Sequence, residues 1–408
     1  MSTDPTDAPA STPPPTADPT VRRLRPLGET IFATMSRLAA STGAINLGQG
    51  YPDSDGPRVM LDEAIAAIER GENQYAPGRG TATLRRAICE DRDRRLGQRW
   101  DPDTECLVTV GATEGITAAV LGLVEPVAHV VLIEPFYDSY RAAVTLAGAE
   151  WTTAPLVSGP DGWRLDLAAL REAVRDDTAM IIINTPHNPT GTIFTDAELE
   201  AVAAEARRVG AIVLADEVYE RLLYDGHPHR SIADVPDMRD RCVVVSSAAK
   251  TFNVTGWKTG WVLGCPEIVS AVTTAKQFLS YVGVTHVQPA VARGLDECGD
   301  WVDDMACRLE SNRDVLVAGL RELGLEVHGA DGGYFVVADV SPLGLGNAME
   351  TCRALPETVG VAAIPVPAFV DDVDDPRWVN LARFGFCKRE SVIRDALDKL
   401  RTHIESLA

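Results

Sequence analysis

The sequence predicts an α/β fold: a large domain whose mostly parallel central sheet is flanked by helices, plus a smaller α+β domain built from the N-terminal segment and the C-terminal part. Two observations carry that expectation. From about residue 56, stretches of helical period alternate with short apolar runs, "CLVTV", "HVVLIE", "AMIIIN", "AIVLAD", "CVVVSS" and "GWVLG". Parallel strands need a crossover of that kind, because each helix must return the chain to the same edge of the sheet. After about residue 300 the alternation gives way to one long amphipathic stretch, separated strands and a closing helix, an α+β pattern. A chain of 408 residues, 45% hydrophobic and 24% charged, has the length and composition for two such globular units.

Taken in order, residues 1–20, "MSTDPTDAPASTPPPTADPT", offer almost no large apolar group to offset chain entropy and are expected to form a disordered tail. The tail carries Asp and no Arg, unlike an organelle transit peptide. Residues 21–55 are assigned to the small domain, 56–299 to the large one and 300–408 to the rest of the small one. In the large domain, runs apolar at nearly every position predict strands buried on both faces. In the last part, Trp301 to Leu323 predicts a long helix, "GGYFVVADV" and "GVAAIP" predict strands, and a helix is expected from about Glu390. There is no internal repeat.

Charge and residue usage exclude several functions. Fifty-nine acidic against 38 basic side chains give a net charge of −21, which repels nucleic acid and anionic membranes, so an anionic ligand needs local cations. No run approaches the roughly 18 apolar residues of a membrane span, and the N-terminus lacks a secretory pattern, so a cytoplasmic protein is expected. Eight cysteines without a C-x-x-C pair predict reduced thiols. His227 and His229, on "YDGHPHR", are expected on a solvated loop, and no metal site is predicted.

Ligands of open α/β sheets lie beyond the carboxyl ends of strands, and here those positions are polar. "GATEGITAAV" puts Ala112 and Thr113 at a helix start, either a plain turn or an anion cradle. A phosphate carries about −1.5 to −2 against about half a positive charge at a helix end, so a cation is required. Lys258 is the candidate, with the Ser247 hydroxyl as a further donor. Asp216 ends an apolar run and is either a helix cap or a ligand contact that needs a cation. Tyr219, three residues on, faces the same way if that segment is helical. Asn188 in "HNPTG" is a turn residue or an amide donor, and Tyr137 a core aromatic or a plate for a flat ring. Lys250 follows "CVVVSS" at the same edge. Each alone suits a structural role, but together they match one ligand, pyridoxal 5′-phosphate: phosphate, ring face, phenolic oxygen, pyridine nitrogen and a lysine-reactive aldehyde.

The motifs "NLGQGYPD", "NQYAPGRG", "VTVGATEG", "EPFYDSY", "NTPHNPTG", "LADEVYE", "SSAAKTFNVTGWKTGW" and "RFGFCK", in this order over residues 21–405, resemble a fold-type I, class I/II aminotransferase. The subgroup resembled most holds the succinyldiaminopimelate and kynurenine/glutamine aminotransferases. The resemblance implies that Lys250 bonds the cofactor aldehyde, Asp216 partners the pyridine nitrogen, and Asn188 and Tyr219 serve the phenolic oxygen. It implies that Tyr137 stacks on the ring, and that Ala112, Thr113, Ser247 and Lys258 hold the phosphate, with Tyr75 joining from the other subunit of a homodimer. Many relatives carry Arg at Lys258, so the charge is kept and the bidentate fork lost. Arg383 would hold the substrate carboxylate, helped by Asn184 and the backbone of Gly50, and "LRPLGETIFATM" would help form the distal wall.

The activity so implied is ping-pong transfer of an amino group from an L-amino acid to a 2-oxo acid. The expected donor is N-succinyl-LL-2,6-diaminopimelate, of lysine biosynthesis, and the expected acceptor 2-oxoglutarate. The alternatives are a kynurenine, glutamine or methionine aminotransferase, a cysteine-S-conjugate β-lyase, or a non-catalytic regulator. The last would need a basic DNA-binding segment, which the acidic tail does not supply. The chemistry makes one demand on the fold. A free lysine with a pKa of about 10.4 must drop by about three units, roughly 4 kcal/mol, before it reacts as an amine near neutrality, and burial is the largest available cause.

Overall fold

The computed structural model describes residues 18–159 and 162–407, so the tail expected over 1–20 lies, up to residue 17, outside the described residues. After the short strand β1 (Ile45–Asn46) come β2 (Cys106–Val110), β3 (His129–Glu134), β4 (Glu150–Gly159), β5 (Gly162–Leu165), β6 (Thr178–Asn184), β7 (Ile212–Asp216), β8 (Cys242–Ser247) and β9 (Thr259–Leu263). These eight form one sheet in the order β2-β9-β8-β7-β6-β3-β4-β5. The pairs β3–β4, β3–β6, β6–β7 and β7–β8 are parallel. All six apolar runs of the large domain are strands. Strand β9 departs from the expected pattern, running antiparallel to both β2 and β8. Its amino end therefore shares an edge with the carboxyl ends of its neighbours.

Alternate residues of the central strands feed two separate cores. Val131, Ile181, Val213 and Val244 pack on one face, and Val130, Met180, Leu214 and Val243 on the other. Burying each such side chain fully is worth about 1.5–3 kcal/mol, which explains why these runs are apolar throughout. Strands β4 and β5 were not expected. The first opens on "EWTT" and is only partly buried there, as befits a strand near the sheet margin.

The helices start and stop where side chains meet orphan backbone groups. Thr81 caps Ala82–Leu96 by accepting from the Leu84 N–H, and Gly97 ends it in the left-handed region. Thr195 and Glu198 form a reciprocal capping box at the start of Asp196–Val209. The helix Gly111–Leu123 begins directly after β2.

Past residue 299 the long helix spans Gly299–Glu322. It is followed by β10 (Val327–His328), β11 (Phe335–Asp339), β12 (Val361–Ala362), β13 (Ile364–Pro365), β14 (Leu381–Gly385) and the closing helix Glu390–Leu407. Four of these strands form the antiparallel sheet β10-β11-β14-β13. Strand β12 instead pairs in parallel with β1, Ile45 opposite Val361, tying the N-terminal segment to the C-terminal part. Among the described residues, no helix is long and apolar enough to cross a membrane.

Candidate active site

A cavity of about 380 Å³ opens where β2, β6, β7 and β8 end and β9 begins, with Phe335 and Arg383 of the second sheet forming its other side. Every residue singled out from the sequence lines it except Tyr75. Tyr75 is 81% exposed, with its ring edge-on to Tyr281 at 5.5 Å.

Lys250 sits on the short helical turn Ala248–Thr251 directly after β8. Its Nζ donates to the Gly50 carbonyl at 2.5 Å and lies 5.4 Å from the Tyr334 ring centre. What exposure it keeps is to the cavity. Burial among protein atoms lowers its pKa to about 8; Arg383 and Lys258 push the same way, against Cys387 and Asp216.

Asp216, at the end of β7, is 4% exposed. Its carboxylate accepts from the Tyr140 hydroxyl at 2.8 Å and the Val218 N–H at 3.2 Å. Burial nevertheless raises its pKa to about 6, and the adjacent Glu217 adds to the rise while Lys250 opposes it. A cationic partner inside the cavity would reverse that shift. The segment after β7 is a turn rather than a helix, yet Tyr219 faces the cavity with Asp216.

Arg383 lines the cavity from the middle of β14 and is 1% exposed. It donates to Asn188 Oδ1 at 2.8 Å and to the Gly48 carbonyl at 2.5 Å, while its buried Nε has no partner among the described residues. Phe335 stacks on it, ring centre 3.7 Å from the guanidinium carbon, and Phe32 and Phe369 stand 5.1 and 5.2 Å away. Burial lowers its pKa to about 10. Among the described residues no carboxylate forms an ion pair with it, so a carboxylate bound in the cavity would balance its charge. Gly50 has to be glycine, since a Cβ there would sit 2.6 Å from Phe335 Cζ.

Asn184 is engaged by the protein itself. Its Nδ2 donates to the Asp216 carbonyl at 2.7 Å and its Oδ1 accepts from the Asn188 N–H at 2.6 Å, so it braces the turn that presents Asn188.

At the opposite end, Ala112 and Thr113 occupy the first turn of Gly111–Leu123. Lys258 adopts left-handed backbone, φ 49°, which aims its side chain back over that turn. A Cβ at Gly111 would lie 3.3 Å from Lys258 Nζ. Ser247 and Tyr137 complete this side.

The structure corrects one expectation. His227 is exposed as predicted, but His229 is buried, its Nε2 2.9 Å from Glu217 Oε2. Sequence reasoning also missed Tyr140, Phe335 and the phenyl cage. The first could have been found, three residues after Tyr137 at a helix start; of the cage, Phe32 lies in the segment expected at the distal wall, whereas Phe335 and Phe369 come from the far end of the chain and carry no local signal.

A family model described as aminotransferase class I and II matches residues 42–389. The structure resembles that of N-succinyldiaminopimelate aminotransferase from Mycobacterium tuberculosis with a TM-score of 0.92 and 52% identity, covering 94% of this chain and 100% of that one. The methionine aminotransferase of Escherichia coli is 35% identical over 379 residues, 93% of this chain and 97% of that protein. Kynurenine–oxoglutarate transaminase 3 of Mus musculus is 35% identical over 404 residues, 93% of this chain and 89% of that protein.

Proposed function

The chain belongs to the class I and II aminotransferases and is a transaminase, and we propose that it uses pyridoxal 5′-phosphate to move the amino group of N-succinyl-LL-2,6-diaminopimelate to 2-oxoglutarate. The observation that carries this reading is one cavity holding a lysine of lowered pKa, a carboxylate of raised pKa and a buried arginine with no counter-ion among the described residues. The residues fit the cofactor. Asp216 would hold the proton of the ring nitrogen, and Asn188 and Tyr219 would donate to the phenolic oxygen. Tyr137 would cover the ring. The N–H groups of Ala112 and Thr113, with Ser247 and Lys258, would balance the phosphate charge.

When bound, the cofactor supplies an electron sink for the pair left behind when the substrate loses its α-proton. Lys250 would hold the cofactor through its side-chain amine, and that amine, when free, would be placed to take and return the α-proton as general base and acid. Arg383 orients the donor, and later the oxo acid, through two parallel hydrogen bonds to the carboxylate, with Asn184 fixing Asn188 beside it. Phe32, in the segment expected at the distal wall, lines the cavity. The choice of donor follows the 52%-identical relative over the 35%-identical ones. We place the enzyme in the cytoplasm as a homodimer in which Tyr75 reaches the partner's phosphate site, with the small domain of 21–55 and 300–408 facing the large domain of 56–299.

The test is an assay of succinyldiaminopimelate, kynurenine, glutamine and methionine with 2-oxoglutarate, together with a cysteine conjugate assayed for pyruvate release. The succinylated donor should give the highest kcat/KM, and borohydride reduction of the holoenzyme should label Lys250. A clear preference for kynurenine overturns the substrate, and an unlabelled Lys250 overturns the cofactor assignment.

A further inference from the structure

Behind the cavity lies a second, closed layer of charge. Along the turn after β7, Asp216 and Tyr219 face the cavity while Glu217 and Glu220 point away from it, and at the end of β8 Ser247 and Ser246 divide in the same way. Arg92 reaches this layer from the helix Ala82–Leu96 and is 1% exposed. It donates through NH2 to Glu217 Oε2 at 2.9 Å and through NH1 to Glu220 Oε2 at 2.5 Å. Glu217 also accepts from Ser231 Oγ at 2.6 Å and His229 Nε2 at 2.9 Å. Glu220 also accepts from Arg95 NH2 at 2.8 Å and Ser246 Oγ at 2.6 Å.

Glu217, Glu220 and His229 are near enough to bind a metal together. All four carboxylate oxygens are already taken, however, and a guanidinium occupies the place where a cation would sit.

We infer that this layer is a positioning device for the active site: Arg92, bridging Glu217 and Glu220, fixes from behind the spacing of Asp216 and Tyr219, and Ser246 ties the same layer to Ser247. Glu217, Glu220 and Ser246 are the chain neighbours of Asp216, Tyr219 and Ser247, which face the cavity, so a shift behind is passed directly to the front. One planar fork donates to both carboxylates along fixed directions, a geometry that the shorter side chain and rotating donors of a lysine do not reproduce. The inference rests on the cofactor reading above.

The test titrates pyridoxal phosphate into cofactor-free, full-length wild type, Arg92→Lys and Ser246→Ala. It reads the dissociation constant, the circular dichroism of the cofactor absorption band, the split between kcat and KM, and the melting temperature. If wild type itself binds no cofactor, the parent reading fails. If wild type binds, Arg92→Lys should weaken binding about tenfold, alter the dichroic band, which reports ring orientation, and lower kcat more than it raises KM. Ser246→Ala should move the same quantities in the same direction by a smaller amount, and it decides the matter if the lysine variant does not fold. Wild-type affinity and an unchanged dichroic band in the folded variants, whatever their melting temperatures, would overturn the inference.

Discussion

At the scale of single residues, the decisive quantity is how much neutral amine Lys250 presents. With its pKa near 8, roughly a tenth of the side chain is neutral at pH 7, against roughly three in ten thousand for an ordinary lysine. The protein alone therefore supplies most of the required drop, chiefly through burial, and bonding to the proposed cofactor would have only the remainder to do. The folded pKa lies below the unfolded one, so the folded chain binds fewer protons between about pH 8 and 10.5. Protonated Lys250 thus destabilises the cofactor-free protein, a cost relieved as pH rises through that window. Cofactor attachment to the cofactor-free protein, monitored by stopped-flow absorbance, should accelerate about tenfold from pH 7 to a plateau, with a midpoint near 8. A midpoint near 10 would contradict the burial argument. Lys250 and Asp216 were legible in the sequence because each comes directly after or at the end of an apolar run whose limit is itself legible. His229 was misread because two histidines near Gly and Pro look solvated until Glu217, twelve residues earlier, folds back against one of them.

At the scale of elements, β9 decides the geometry of the proposed phosphate end of the cavity. Its hydrophobic run was plain in the sequence, but a run of apolar residues carries no direction. Only the pairing with β2 and β8 places Lys258, just before β9, at the same edge as Ser247, the last residue of β8. Gly260 lets β9 approach the start of Gly111–Leu123: a Cβ there would sit 2.6 Å from the Gly111 carbonyl carbon, 2.7 Å from the Ala112 N and 2.9 Å from the Ser246 carbonyl oxygen. These neighbours are backbone and cannot swing aside. Gly260→Ala should therefore push the helix start away from Lys258, cost about 1–3 kcal/mol in a denaturant melt, and weaken pyridoxal phosphate binding in a direct titration. Undiminished affinity would mean that Ala112 and Thr113 do not hold the phosphate. Strands β4 and β5 escaped notice for a related reason, since partly exposed strands mix polar and apolar residues and lose the continuous run that marks the central ones.

At the scale of the whole molecule, Tyr75 and Phe278, 81% and 84% exposed, join Tyr281, Ile65 and Ile68 as large apolar side chains left in water by a single chain. Tyr75 and Tyr281 meet ring to ring at 5.5 Å, and a contiguous apolar patch of that kind is what a partner would cover, in keeping with the proposed delivery of Tyr75 to a partner's cavity. Mixing separately inactive Lys250→Ala and Tyr75→Ala chains, with dissociation and reassembly, should restore about a quarter of wild-type activity, because half the dimers are hybrids with one intact site. Activity no greater than the sum of the two unmixed samples would count against a shared site. The fold class, the sheet edge at which the cavity opens and many of the residues lining it could be read from the chain alone, because these depend on local periodicity and on the residues just past the end of each strand. Only the tertiary structure decided that β9 runs backwards, that three phenyl rings cage Arg383, and that Arg92 backs the turn carrying Asp216. Those contacts join residues far apart in the chain, and their energy comes from being buried together, which no local pattern encodes.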